Sequence, residues 1–229
     1  MLNPFLLIFF NILVLYISST LSIRLVNTLF PYKMVRYIIL PGVIIHELSH
    51  AALCFVFRHK IEQISFLNTD YTSTTLGFVL HSYNPRSLYQ QIGNFFISIA
   101  PIFGGYFFLF ILLNNIFNLD LYHLNIDSLI AYIELTSFGE LILVGYLILT
   151  ISITLCPSSQ DFKNSMVGGI LFVIIILIGL MLIPSIEQYV NKLVNFITPI
   201  LSLVCLVSLV MLFFLSLMKL FFKGLRIFR

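Results

Sequence analysis

Pro41-Gly42-Val43-Ile44-Ile45-His46-Glu47-Leu48-Ser49-His50-Ala51-Ala52-Leu53-Cys54-Phe55-Val56-Phe57 sets three ionisable side chains in an otherwise apolar segment. The segment predicts a helix that lives in lipid. A charged group at the bilayer centre costs about 2.5–3.5 kcal/mol on insertion scales, so such groups face a cavity or a partner. The spacing names the partner. On a helix, His46 and His50 lie on one side, one turn apart, and can both bind zinc. Glu47 then stands beside a metal-activated water as its general base. The chain has 229 residues with five His and five Glu, so chance placement of His-Glu-x-x-His is about two in a thousand. The bland alternative is a polar cluster packed against another helix. Pro41-Gly42 lies one turn before His46, where a proline kinks a helix and opens room for water, or is merely tolerated near a helix end.

The rest of the chain agrees with a lipid setting. It is 60% hydrophobic and 9% charged, against about a quarter charged in soluble domains. Six apolar segments approach the ~20 residues that a bilayer needs, at about 4–23, 35–57, 92–117, 130–155, 166–184 and 196–222. Helices are expected because hydrocarbon offers the backbone no hydrogen bonds. The expected fold is a single domain, 1–229: an all-α transmembrane bundle of about six spans with a small β-hairpin-like loop near the active site.

A net charge of +3 with scattered basic residues gives no nucleic-acid footprint. The N-terminus lacks a basic n-region and a small-residue cleavage site, so its apolar stretch reads as a retained helix. Cys54, Cys156 and Cys205 have no metal-type spacing and read as buried small hydrophobes. Lys219, Lys223, Arg226 and Arg229 put the C-terminus in the cytoplasm, and six spans put the N-terminus there too. Residues 118–129, with Asp120 and Asp127, then fall outside, and Arg58, Lys60 and Arg86 inside. Arg24, Lys33 and Arg36 conflict with this unless the first segment does not fully span.

Between the second and third segments, residues 61–66 alternate like a strand and 77–83 are rich in β-formers, with turn residues (Asn68, Asp70) between them. Asn84-Pro85-Arg86-Ser87 reads as a second turn. This predicts a hairpin at the membrane surface, beyond the end of the motif helix. It either holds substrate in extended form along an edge or is an ordinary connection.

A catalytic zinc takes three protein ligands and one open position. Asp161 is the expected third ligand, because Pro157 breaks the chain just before it and lets it fold back toward the motif. Lys163 or a nearby Ser would then brace the carboxylate. A solvated loop aspartate is the alternative, and Glu140 and His81 are the rival ligands. His81 could also contact substrate or be a surface histidine. Asn94 either binds a substrate backbone or joins two helices. His59 and His123 are expected in solvated loops.

HELSHA (46–51) in a hydrophobic helix, with Cys-Pro-Ser-Ser-Gln-Asp-Phe (156–162) at a later helix end, resembles the site-2 protease family of intramembrane zinc metalloproteases. That family takes its third ligand from an Asn-Pro-x-Pro-x-x-Asp-Gly segment; here the leading Asn and trailing Gly are missing. HSYNPRSLYQQIGNFFISIAP (81–101) also resembles a group of prokaryotic membrane zincins. The resemblance implies a zinc-dependent endopeptidase, multi-pass in a prokaryotic cell membrane. Its partners would be the lipid bilayer and membrane-protein or peptide substrates, cut in or next to their membrane segments. The alternatives are a non-proteolytic scaffold or transport component with a structural zinc, which has no need of Glu47, and an enzyme acting on soluble or prenylated peptides. The last would take its third ligand from Glu140.

Overall fold

The computed structural model describes residues 4–68, 75–116, 126–183 and 185–227. In chain order the elements are α1 (Pro4–Leu29), α2 (Tyr32–Ile38), α3 (Leu40–Val56), β1 (Lys60–Ser65), β2 (Phe78–Ser82), α4 (Leu88–Ile111), α5 (Ile126–Leu135), α6 (Phe138–Thr154), α7 (Ser159–Leu182) and α8 (Ile186–Ile227). A π turn, Leu112–Ile116, extends α4. The expected turn residue Asp70 and the loop residues Asp120 and His123 lie outside the described residues, as does Arg229.

Among the described residues, four helices are long and apolar enough to cross a membrane: Leu6–Leu29, Leu88–Asn114, Ser159–Leu182 and Ile186–Lys223. The other two expected spans are shorter. α3 and α6 have 17 residues each, about 25 Å at 1.5 Å per residue, against a hydrocarbon core of about 30 Å. The expected second span divides at Ile39. Pro41 has no N–H to give the carbonyl four residues back, so α2 cannot run on through it, and a proline is well placed in the first turn of a new helix. The expected fourth span divides before Ser137. The Ser137 hydroxyl accepts from the Glu140 N–H at 3.3 Å, and the Glu140 carboxylate accepts from the Ser137 N–H at 3.2 Å, a capping box that opens α6.

Polar side chains bind the helices where lipid supplies no hydrophobic drive. Asn11 on α1 donates to Ser202 on α8 at 2.8 Å, and the Ser18 and Ser208 hydroxyls share a hydrogen bond of 2.6 Å. Around them Leu15, Ile102, Ile151, Leu201 and Val204 form one apolar core. A second core joins Val26, Val35, Val43, Ile153 and Leu215. α7 turns Met166, Ile170, Val173, Leu177 and Met181 outward, a face suited to lipid.

α3 packs on α4 and α6, and α4 on α7. The α3–α6 crossing is close because Gly42 has no side chain: a Cβ there would meet the Thr150 carbonyl and, at 2.5 Å, the Thr154 hydroxyl. Gly42→Ala is expected to cost about 1–3 kcal/mol, as overpacking does. A lowered thermal midpoint in detergent checks this, and an unchanged midpoint contradicts the backbone contact.

The hairpin pairs Lys60 with Ser82, Ile61 with His81 and Gln63 with Leu80, leaving Glu62 as a bulge. The expected hairpin forms, and it runs back along α3. Gly77 sits so close that a Cβ would lie 2.8 Å from Val43 and 3.0 Å from Glu47. At its far end Arg36 is buried and donates to the Asn68 carbonyl. Arg36 is therefore no loop charge, which removes one of the three residues that conflicted with the expected orientation.

Candidate functional site

One helical turn brings the His46 and His50 Nε2 atoms to 3.1 Å of each other. Asp161 reaches the same point: its Oδ2 is 3.8 Å from His46 Nε2 and its Oδ1 3.6 Å from His50 Nε2. A tetrahedral zinc with bonds of about 2.0–2.1 Å spaces its ligand atoms about 3.3 Å apart. The three side chains match that spacing to within about half an ångström.

The far side of each ring decides what the near side can do. His46 Nδ1 lies 2.5 Å from the Thr154 carbonyl and His50 Nδ1 lies 2.7 Å from the Ile97 carbonyl. A carbonyl only accepts, so each Nδ1 carries the proton and each neutral ring presents a lone pair at Nε2. Two lone pairs 3.1 Å apart repel, and a cation between them removes the repulsion. α6 ends at Thr154 and so leaves that carbonyl free for His46.

Asp161 owes its position to a helix start. Pro157 interrupts the chain after α6, and Ser158 caps α7. The Ser158 N–H and hydroxyl both donate to Asp161 Oδ2 at 2.7 Å. This holds the carboxylate still and aims Oδ1 at His50. The bracing serine is Ser158, one of the two kinds of brace the sequence suggested.

Glu47 is 6% exposed, yet it lines a cavity of about 500 Å³ together with His46, His50 and Asp161. It is near enough to all three to interact with them electrostatically. The Gly77–Val79 segment forms another wall, and Tyr16, Ser19 and Thr20 of α1 a third. The volume falls in the range of ligand pockets, well beyond what a metal and one water need. An adjoining apolar hollow of about 350 Å³ lies between α1 and α7, lined by Phe9, Ile12, Leu13 and Phe162, and shares Tyr16 and Ser159 with the main cavity.

The other expected candidates do not join the three converging ligands. Glu140 is committed to the Ser137 cap. It lies 14 residues along α6 from Thr154, about 21 Å from the carbonyl that holds His46. Asn94 does not line the cavity; its Nδ2 donates to the Asn164 carbonyl at 2.8 Å and ties α4 to α7. His81 lines the cavity, but its Nδ1 lies 3.0 Å from His59 Nδ1. His59, expected in solvent, is buried. Burial pushes His59 below the usual histidine value, and burial with the neighbouring His59 pushes His81 down to about 4, so both rings are neutral at pH 7.

The sequence reading missed Thr154 and Ile97 as supports, and anticipated the brace only as a nearby serine, without naming Ser158. The first two act through main-chain carbonyls, which carry no residue signature. Ser158 was findable, since Ser-x-x-Asp before an apolar run is a capping-box pattern. No family model, curated protein or solved structure matches the chain.

Proposed function

We propose that the chain is an intramembrane zinc-dependent endopeptidase of site-2-protease type. One observation carries the reading: both histidines spend Nδ1 on main-chain carbonyls, so two Nε2 lone pairs and the Asp161 carboxylate converge on one point beside buried Glu47. His46, His50 and Asp161 would hold a zinc ion, which would supply Lewis acidity toward a water and a peptide carbonyl. Glu47 takes the proton of the attacking water and passes it to the leaving amine, so the C–N bond breaks without releasing an amide anion. The cavity accepts a length of peptide as well as the reacting groups. A helical substrate has to unwind first, because its carbonyls are already hydrogen-bonded. The apolar hollow between α1 and α7 favours substrate from the bilayer over a soluble peptide. A structural zinc in a scaffold gives no reason for a buried carboxylate at the cavity wall.

Single-span reporter proteins, co-reconstituted with the purified chain in vesicles and analysed by mass spectrometry, test this. Cleavage within or beside the lipid-embedded segment is expected. Intact reporters with zinc fully loaded would refute it.

Ser158→Ala removes both Ser158 side-chain hydrogen bonds at Asp161 and leaves the carboxylate only the Ser158 main-chain N–H. Outer-shell losses of this kind cost about 10–100-fold in metal affinity. A zinc-chelator competition should show that drop, whereas unchanged affinity would mean that the cap does not position Asp161.

A further inference from the structure

The end of α3 carries a second convergence of ligand atoms. Cys54, His59 and His81 each bring one, all within 4.8 Å of one another. None of the three belongs to the His46–His50–Asp161 group.

The backbone explains how residues 54 and 59 meet. α3 ends in a Schellman turn: the His59 N–H bonds the Cys54 carbonyl at 2.8 Å and the Arg58 N–H bonds the Phe55 carbonyl at 3.2 Å. The turn requires a left-handed residue, and Arg58 takes it with φ 57°. His59 is thereby folded back over the last turn of α3, where the Cys54 side chain is completely buried. β2 brings the third member, and the Glu62 bulge falls directly beside the Ile61–His81 pair, where a bulge re-aims a side chain.

His59 repeats the ring chemistry of the first site. His59 Nε2 lies 2.9 Å from the Gln90 carbonyl, so it carries the proton and leaves a lone pair at Nδ1. That lone pair faces His81 Nδ1 at 3.0 Å. Tyr83 stacks on the His59 ring, with centroids 5.0 Å apart and planes at 17°, which fixes its orientation.

We infer that Cys54, His59 and His81 form a second metal site, for a borderline-soft divalent cation of the zinc class. A thiolate and two imidazoles suit such an ion, and carboxylate-seeking magnesium or calcium is excluded by the donor set. Loading exchanges the thiol proton of Cys54 for the metal, and the two rings enter neutral. The bound ion pins β2, whose Phe78 and Val79 line the main cavity, to the end of the motif helix. The inference does not depend on the proposed proteolytic function.

Cobalt reports the two sites separately, because only this one contains sulfur. Metal-stripped chain in detergent, titrated with Co²⁺, should take up about two equivalents, one of which carries a thiolate-to-cobalt charge-transfer band in the near ultraviolet. Cys54→Ser should lose the band and keep about one equivalent, which also shows that the variant is folded. His59→Ala should lose the band too. A His46→Ala/His50→Ala double variant should keep the band at full intensity. Wild-type chain that binds cobalt without a charge-transfer band would overturn the inference, as would a band that persists unchanged in Cys54→Ser. A wild type that binds only the sulfur-ligated equivalent would sink the first site and leave this one standing.

Discussion

Glu47→Gln is expected to keep its zinc and to lose peptide cleavage by about a hundred- to ten-thousand-fold, the usual contribution of a positioned general base. Glutamine has the same shape, so the tight contact with Gly77 is preserved. The amide cannot take a proton from water, and Glu47 is not one of the three converging ligands. Zinc content by atomic emission, with initial cleavage rates on a reporter, separates the two effects. Full activity would remove Glu47 from the chemistry. Loss of zinc together with activity would make it a ligand instead.

Asp161→Ala has the second large effect. It removes the only carboxylate among the described residues that meets both histidines. The loss in zinc affinity should exceed the 10–100-fold typical of outer-shell changes, and activity should fall with it. Glu140→Ala is the matched control. It removes the glutamate half of the α6 capping box while Ser137 still caps the helix, and it should leave zinc affinity unchanged. If Asp161→Ala retains zinc and activity while Glu140→Ala loses both, the ligand assignment is reversed.

The two cases show why parts of this protein are legible and others are not. His46, Glu47 and His50 are readable because they sit on one helix, whose period fixes their relation. Asp161 is far away in sequence, and what pointed to it was Pro157, a residue whose backbone effect is local and unconditional. Hydropathy gave six apolar segments but placed their ends poorly. A window average passes over Ser137 and Ser158, whose short-range hydrogen bonds start α6 and α7. The same averaging hid the break at Ile39, which a reading of Pro41 as a helix start would have supplied. The Cys54–His59–His81 group was out of reach for a different reason. It needs a left-handed residue at Arg58 and a bulge at Glu62, and neither type announces that geometry, as a glycine would at position 58. The hairpin was found as two strands, but its return along α3 depends on the close approach at Gly77 and the buried Arg36 contact. Those are tertiary facts.

The most direct test strips the metal and restores it. Purified chain is reconstituted with a single-span reporter, treated with a chelator until zinc is gone, and then given back zinc alone. Products are read by mass spectrometry at each stage. Cleavage at a peptide bond in or next to the membrane segment should disappear with the metal, return with it, and fail to return in Glu47→Gln. Cleavage that persists without metal, or no cleavage when the His46–His50–Asp161 site is loaded, would contradict the reading of this chain as a zinc protease.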